Sequence, residues 1–366
     1  MTGLSNLAIV AITRGGAALA ARLGQAFPEA DRWVAERFAG EVAFDASEGR
    51  RRTIPFTGSP GRIVPALFAD YRGIIFLFSM GAVVRIIAPH LRGKHIDPAV
   101  VVVDQGGHFA VAVLSGHLGG ANELARRVAD AIGAQAVITT ASDVQGTIAV
   151  DLFGREHGWR IDDRSWKHVT AVSAALVNDE PVALYQEAGE LNWWPANRPR
   201  PANLRLVAEP AEGAGAAAAL IISDRTDVFE TLPCPTVVYR PRSLAVGVGC
   251  NRGTPAAEIA AAVATTLADG GLSPLAVRNW ASIEAKADEV GLLAAAKEAG
   301  VPVEFFDKDR LNAVVVPNPS QVAWRYVGVQ GVAEPAALVS AGPGATLAVA
   351  KRKFANCTVA VARTRC

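Results

Sequence analysis

The sequence predicts an α/β protein of three domains, and two observations support this. Predicted strands alternate with predicted helices over residues 7–140, and the alternation resumes at residue 244. It is typical of a mostly parallel sheet covered by helices. Between these regions the pattern is weaker and tryptophan is frequent. We expect an amino-terminal three-layer α/β domain with a mixed, mostly parallel sheet (1–143), a small α+β middle domain (144–240) and a carboxy-terminal α/β domain (241–366).

The amino-terminal domain begins with a buried strand that leads through a glycine turn into a helix. Apolar runs predict strands at 7–13, 73–78, 99–103, 109–114 and 136–140. Helical spacing of apolar residues predicts helices at 17–27, 63–71, 82–91 and 121–132. A hairpin signal, DQGG from Asp104, predicts that the strand at 109–114 is antiparallel to the strand before it.

The other two domains give shorter patterns. Apolar runs predict middle-domain strands at 181–185, 204–207, 218–222 and 236–239. The carboxy-terminal domain begins with a strand at 244–248 and a helix that reaches residue 268. We expect Thr254 to cap this helix, with Pro255 at its first position. Further strands are expected at 275–280 and 358–363.

The composition argues against several classes of protein. The chain of 366 residues has a net charge of +1, which argues against a general nucleic-acid-binding protein. Its 4 cysteines are far apart and indicate neither a zinc site nor a disulfide framework. The best apolar stretch, residues 73–89, is interrupted by Arg85 and is too short to span a membrane. We therefore expect a soluble cytoplasmic protein.

Residues Ser115 to Glu123 form the strongest candidate site. They read SGHLGGANE and lie between a predicted strand and a predicted helix. Amides at a helix start, beside glycines that admit a ligand, form a site for an anion or oxyanion. His117 can transfer protons near neutral pH, and Glu123 can orient His117 or activate water.

This loop also allows other interpretations. Gly119 and Gly120 can simply pack the helix on the sheet, with His117 on the surface, but the crowding of polar residues favours a functional site. Ser115 is a candidate nucleophile at a strand end, although the motif Gly-x-Ser-x-Gly is absent. We expect a water nucleophile with His117 as its base, and Ser115 as a hydrogen-bonding residue of the loop.

Further polar residues are expected at the same edge of the sheet. Arg85, Lys94 and Asp97 supply two cations and an acid, although a solvated helix face and an Asp-Pro turn explain them almost equally well. Thr140 and Asp143 follow the strand at 136–140. Carboxyl ends of strands bind ligands in open α/β sheets, so we expect these residues to face the crevice of the glycine-rich loop.

A second glycine-rich loop, GVGCNRG from Gly247, resembles a dinucleotide fingerprint. It has one residue too many before the third glycine, and the next strand lacks the usual terminal acidic residue, which argues against NAD. We expect its amides and Arg252 to hold a phosphate or carboxylate instead.

Two long stretches resemble the cobalt-precorrin-5A hydrolase family. Residues 76–143, with LSGHLGGANELA and TTASD, are similar to its amino-terminal domain. Residues 244–363, with AVGVGCNRGTPAAEI, Ala285-Lys286 and VGVQGVAEPAAL, resemble its carboxy-terminal domain. The middle region is compatible with the family's middle domain, so the resemblance covers nearly the whole chain.

The resemblance implies a hydrolase of the anaerobic route to cobalamin (vitamin B12). Water opens the δ-lactone of cobalt-precorrin-5A, and the C20 carbon leaves with its methyl group as acetaldehyde while the ring contracts. The implied partner is this cobalt-corrinoid substrate, and neighbouring enzymes of the pathway or a second copy of the chain are further candidates. No cofactor of the protein is implied, since the cobalt arrives with the substrate. A non-catalytic corrinoid carrier is the alternative.

This chemistry gives the candidate residues roles. His117 or Glu123 activates water, the amides of residues 116–121 stabilise the oxyanion, and Ser115 completes the catalytic set. Cations are expected to bind the acetate and propionate carboxylates of the substrate. The expected substrate-binding residues are Arg85, Lys94, Gly116, Gly119, Gly120, Asn122, Thr140, Asp143, Gly249, Arg252 and Lys286.

Overall fold

The computed structural model describes residues 6–41, 52–93, 96–230 and 232–365. Lys94, one of the expected substrate-binding residues, lies outside these described residues. The chain divides into two compact units, Met1–Leu152 and Phe153–Cys366. The second unit contains two separate sheets, one formed by residues 160–240 and the other by residues 244–363.

The first unit is built on one seven-stranded sheet. Its strands are β1 (Leu7–Ala11), β2 (Asp31–Ala35), β3 (Thr53–Phe56), β4 (Gly73–Phe76), β5 (Ala99–Val103), β6 (Phe109–Leu114) and β7 (Gln135–Val137). Their order is β3-β2-β1-β4-β5-β6-β7. Every neighbouring pair is parallel except β5 and β6, which confirms the hairpin prediction. The loops that follow β6 and β7 therefore lie at the edge where β5 begins.

Helices cover both faces of this sheet. The helices of this unit are α1 (Arg14–Ala26), α2 (Val64–Asp70), α3 (Met80–Ile87), α4 (Ala121–Ile132) and α5 (Ala141–Gln145). Successive strand residues point to opposite faces. Ile9 of β1 accordingly lies in one core with residues of α1 and α4, while Val10 lies in a second core with residues of α2 and α3. The predicted three-layer arrangement is confirmed.

In the first unit, the strands β2 and β3 have no counterpart among the predicted elements. β2 has the sequence DRWVA, in which Asp31 and Arg32 interrupt the apolar run although both are buried. Asp31 accepts hydrogen bonds from Tyr71 Oη at 2.7 Å and from Arg52 Nη2 at 2.8 Å. These hydrogen bonds satisfy the buried carboxylate and so allow it within a strand. Because the partners are distant in sequence, the local pattern does not reveal this strand.

The first sheet of the second unit is also mostly parallel. Its strands are β8 (Arg160–Ile161), β9 (Val182–Gln186), β10 (Leu204–Val207), β11 (Ala218–Ile222) and β12 (Thr236–Arg240). Their order is β10-β9-β11-β12-β8, with β8 antiparallel to β12, and helix α6 (Val169–Val177) belongs to the same region. Phe153 packs edge-on against the rings of Trp159, Trp193 and Tyr239. Two of the tryptophans of this region therefore belong to an aromatic cluster.

The second sheet of this unit has the order β15-β14-β13-β17-β16. Its strands are β13 (Leu244–Cys250), β14 (Val277–Ile283), β15 (Val303–Phe306), β16 (Thr346–Lys353) and β17 (Cys357–Arg363). Its helices are α7 (Ala256–Asp269), α8 (Val290–Glu298), α9 (Lys308–Asn312), α10 (Gln321–Val327) and α11 (Ala333–Ala341). In the described part of the chain, no helix combines the length and apolarity needed to cross a membrane.

The start of α7 differs from the prediction by one residue. The cap is Pro255, with φ −60° and ψ 144°, and the helix begins at Ala256. The Thr254 hydroxyl instead donates to the carbonyl of Asn251 at 2.8 Å. The prediction that Thr254 caps the helix is wrong because its side chain is used in the preceding turn.

Candidate active site

The loop between β6 and α4 requires glycine at two positions. Ser115 has a positive φ of 57°, and its hydroxyl donates to the carbonyl of Asp97 at 2.9 Å. A Cβ on Gly119 would lie 2.3 Å from Ser115 Cβ, and Gly120 has φ 86°. These glycines therefore allow a turn that a side chain would obstruct or strain.

Some amides expected to meet an oxyanion are used inside this loop. The N–H of Gly120 donates to His117 O at 2.9 Å, and that of Ala121 donates to Ser115 O at 3.1 Å. The N–H of Asn122 donates to Gly116 O at 3.0 Å. Each N–H carries one hydrogen, so this geometry does not support Gly120 and Ala121 as oxyanion donors.

His117 contacts polar groups at both ring nitrogens. Nδ1 lies 3.2 Å from Asp151 Oδ1. Nε2 lies 3.0 Å from Ser142 Oγ and 3.1 Å from Asp143 Oδ2. The Asp151 hydrogen bond is the largest influence on this ring and, with Asp143, raises the pKa of His117 above its ordinary value despite partial burial. The two carboxylates thus stabilise the protonated imidazole.

Asp143 is the hub of the same cluster. Its Oδ2 accepts hydrogen bonds from Asn122 Nδ2 and Thr140 Oγ1, each at 2.9 Å, and its Oδ1 accepts one from Arg126 Nη2 at 2.6 Å. Burial is the largest influence and raises the pKa of Asp143, but the bonds from Arg126, Thr140 and His117 outweigh it and hold the pKa below its usual range. Asp143 is therefore a partly buried carboxylate that protein hydrogen bonds keep ionised. We call His117, Asn122, Arg126, Thr140, Ser142, Asp143 and Asp151 the His117 cluster.

Glu123 does not orient His117, whereas Ser115 has the loop contact expected of it. Glu123 Oε2 is 3.9 Å from Arg126 Nη1, and its side chain is 68% exposed on α4. The groups that hold the His117 ring are Asp143, Asp151 and Ser142 instead. The Ser115 hydroxyl is bonded to the Asp97 carbonyl, in agreement with its expected role in the loop.

Arg85 lies toward the other edge of the sheet. It belongs to α3, which begins after the carboxyl end of β4, and Arg85 Nη1 donates to Gly81 O in the first turn at 2.8 Å. Since β6 runs opposite to β4 and β5, the glycine-rich loop lies at the other edge. The expectation that Arg85 shares an edge with this loop is wrong, whereas Thr140 and Asp143 do join it.

Gly249, Arg252 and Lys286 lie in the second unit. Gly249 is within β13 and pairs with Thr358 of β17. Arg252 Nη1 is 2.8 Å from both Asp288 carboxylate oxygens, and this pair is exposed. Lys286 Nζ is 3.1 Å from Glu289 Oε2, and this pair is mostly buried. Both cations are thus paired with carboxylates of the chain.

Two members of the His117 cluster, Arg126 and Asp151, are not expected from the sequence, and a third, Ser142, is expected only as part of its segment. Arg126 lies four residues after Asn122, and this spacing places both on one helical face. The spacing is the sequence signal that could have identified Arg126. Ser142 lies within the segment TTASD, which was singled out without its contact to His117. Asp151 belongs to no motif, and only the tertiary fold brings it to the imidazole.

Three family profiles match consecutive parts of the chain. Residues 62–143 match "Cobalamin synthesis G N-terminal", and residues 148–241 match "Cobalamin biosynthesis central region". Residues 244–362 match "Cobalamin synthesis G C-terminus". The first of these stretches holds His117 and most of its cluster.

Curated relatives match the chain over most of its length. It is 43% identical over 366 residues to Cobalt-precorrin-5A hydrolase of Priestia megaterium, and the aligned region covers 99% of this chain and 96% of the relative. It is 33% identical over 346 residues to Cobalt-precorrin-5A hydrolase of Salmonella typhimurium, and the aligned region covers 92% of each protein. Protein CobE of Sinorhizobium sp is 45% identical over 121 residues, 32% of this chain and 79% of CobE. The chain belongs to the cobalt-precorrin-5A hydrolase family.

Proposed function

We propose that this chain opens the δ-lactone of cobalt-precorrin-5A and releases the C20 unit as acetaldehyde, in the corrin ring contraction of cobalamin biosynthesis. The observation that carries the proposal is the 43% identity over 99% of the chain to a relative named for this activity. A second relative with that name matches 92% of the chain. The His117 cluster supplies acid–base groups suited to lactone hydrolysis.

His117 acts as the base of this reaction. Asp151 accepts the Nδ1 hydrogen and so selects the tautomer whose Nε2 lone pair accepts a proton. When Nε2 takes a proton from the nucleophile, Asp151 and Asp143 stabilise the imidazolium. The same proton can then pass to the leaving ring oxygen. Asp151 and Asp143 thus act through His117 as positioning residues.

Of the two expected cations in the second unit, Arg252 fits a substrate carboxylate better than Lys286. Its ion pair with Asp288 is exposed, so a substrate carboxylate can replace Asp288 at little cost. Lys286 fits this role less well, because its departure would leave the buried Glu289 carboxylate without its ion-pair partner. Arg85 is exposed and can bind an acidic ligand. Such a ligand would lie at the edge of the sheet opposite His117.

No metal or redox cofactor of the protein takes part in the proposed reaction. Lactone hydrolysis adds water without net oxidation or reduction, and the cobalt ion is part of the substrate. The acid–base steps require groups such as an imidazole and a carboxylate, which the His117 cluster contains.

A non-catalytic corrinoid carrier is the second candidate, and the relatives do not favour it. A carrier needs groups that bind carboxylates but has no use for an imidazole poised between two carboxylates. The discriminating experiment incubates the purified chain with cobalt-precorrin-5A and measures acetaldehyde with a coupled alcohol dehydrogenase. We expect one acetaldehyde per substrate consumed. Recovery of bound, unchanged substrate without acetaldehyde would identify a carrier and overturn the proposal.

A further inference from the structure

Ser142 lies on the side of the His117 ring opposite Asp151. Its Oγ is 3.0 Å from Nε2, while Asp151 Oδ1 is 3.2 Å from Nδ1. Hydroxyl, imidazole and carboxylate follow one another in the order that activates serine in hydrolases of unrelated folds. We propose that Ser142 is the nucleophile that opens the lactone, through an ester with the ring-A acetate. This inference rests on the proposed lactone hydrolysis.

The hydrogen bonds of neighbouring hydroxyls distinguish Ser142 from them. Ser115 Oγ donates its hydrogen to the Asp97 carbonyl, and Thr140 Oγ1 donates its hydrogen to Asp143. Ser142 Oγ instead faces a ring nitrogen that can accept its hydrogen. Of these three hydroxyls, Ser142 is therefore the one with a base positioned to activate it.

The position of Ser142 in the chain is fixed by its own turn. It follows the short strand β7 and lies at the second position of α5. The N–H of Thr147 donates to Ser142 O at 3.0 Å, and the N–H of Val144 donates to Thr140 O at 3.0 Å. These bonds hold the serine at the strand end, the same edge as the loop that carries His117.

Asp143 also contacts Nε2, and its charge assists rather than blocks this arrangement. Its oxygens already accept hydrogen bonds from Asn122, Thr140 and Arg126. The Arg126 guanidinium offsets the negative charge beside the neutral imidazole. Once Nε2 is protonated, Asp143 stabilises it at 3.1 Å.

The proposed reaction balances in two steps. Ser142 Oγ bonds to the lactone carbonyl carbon as its proton moves to His117 Nε2, and the bond to the ring oxygen then breaks as that oxygen takes the proton. Water next gives a proton to Nε2 and bonds to the ester carbon, and the bond to Oγ breaks as Oγ recovers the proton. One lactone and one water give one hydroxy acid, so no oxidant or reductant is needed.

The kinetic test replaces Ser142 in the full-length chain. We expect Ser142→Ala to melt like the wild type and to release acetaldehyde at least about 100-fold more slowly, with KM little changed. Ser142→Cys provides a second readout that does not depend on the folding of the alanine variant, because rapid-quench mass spectrometry should detect its thioester with the substrate. Acetaldehyde release by Ser142→Ala within tenfold of wild type, or a Ser142→Cys chain that turns over without a thioester, would overturn the proposal.

A substrate-independent test uses an alkyl fluorophosphonate, which labels activated serines. We expect one label on Ser142 in the wild type, none in Ser142→Ala and slow labelling in His117→Ala. Ser79→Ala is the matched control, since Ser79 also lies at a strand-to-helix turn, and it should label like the wild type. Label on Ser142 without acetaldehyde release would reject the hydrolase and leave the activated serine standing. Acetaldehyde release without label on Ser142 would reject the serine nucleophile alone.

Discussion

His117 gains carboxylate partners at both ring nitrogens, and this determines how activity should depend on pH. The Asp151 hydrogen bond, with Asp143, raises the pKa of His117 above its ordinary value of 6.5. The neutral base is therefore depleted below this raised pKa, and kcat/KM should increase with pH through an inflection above 6.5. By linkage, while both carboxylates are ionised, the stability that these partners add is fully present below the ordinary histidine pKa of 6.5 and is lost as pH rises through the raised pKa of His117. A pH–rate profile that is flat across this region would contradict the assignment.

Asp151 should act through the tautomer and pKa of His117. We expect Asp151→Asn to lower kcat by roughly 10²–10⁴-fold, the range typical of a lost orienting carboxylate. The inflection in the pH–rate profile should also shift to lower pH, since the largest contribution to the raised pKa is removed. Asp130→Asn, on the exposed side of α4, is the control and should leave both quantities unchanged. A fall in kcat without a shift of the inflection would mean that Asp151 has only a structural role.

At the scale of residues, the sequence pattern identifies part of the His117 cluster but not all of it. His117, Asn122, Thr140 and Asp143 were selected because they lie at strand ends or helix starts, and the structure brings them into contact. Asp151 could not be selected in this way, because its contact depends on how the chain returns after α5. Glu123 was selected for its sequence proximity to His117, but the helix directs it toward Arg126 and solvent.

At the scale of elements, the direction of β6 determines which residues share the site. The hairpin signal predicted the antiparallel pairing of β5 and β6, which the structure confirms. This reversal places the loop after β6 at the edge opposite the start of α3, so Arg85 was grouped with the wrong edge. Strand direction can therefore be predicted from a local turn. The strand β2 could not be predicted from a local pattern, since its buried Asp31 is stabilised by partners distant in the sequence.

The glycine-rich loop should tolerate no side chain at position 119. An alanine Cβ there would lie 2.3 Å from Ser115 Cβ and 2.7 Å from Ser115 O, so the loop must move. We expect Gly119→Ala to cost about 1–3 kcal/mol of stability and to reduce kcat, because His117 moves with the loop. Gly133→Ala is the control, since Gly133 has a positive φ of 68° but open space around its Cβ position. It should cost only about 1 kcal/mol and leave kcat intact in thermal-melt and acetaldehyde assays.

At the scale of the whole molecule, the chain carries its acid–base cluster in one compact unit and its best candidate cation for substrate binding in the other. Arg252→Ala should raise KM for the corrinoid several-fold and leave kcat nearly unchanged, as expected for a residue that binds substrate and transition state equally. Because the Arg252–Asp288 pair is exposed, the melting temperature should change little. Arg310→Ala, on α9 of the same unit, is the control for general charge loss. An unchanged KM in Arg252→Ala would remove Arg252 from the substrate site.

The most direct test of the central claim is the rate of acetaldehyde release by His117→Ala, measured together with KM for cobalt-precorrin-5A. His108→Ala is a matched control, because His108 Nδ1 also contacts a carboxylate, Asp104 Oδ2 at 3.1 Å, but in the exposed β5–β6 hairpin. We predict that His117→Ala lowers kcat at least about 100-fold with KM nearly unchanged, while His108→Ala behaves like the wild type. Wild-type turnover by His117→Ala, or equal losses in the two variants, would contradict the assignment of His117 as the catalytic base.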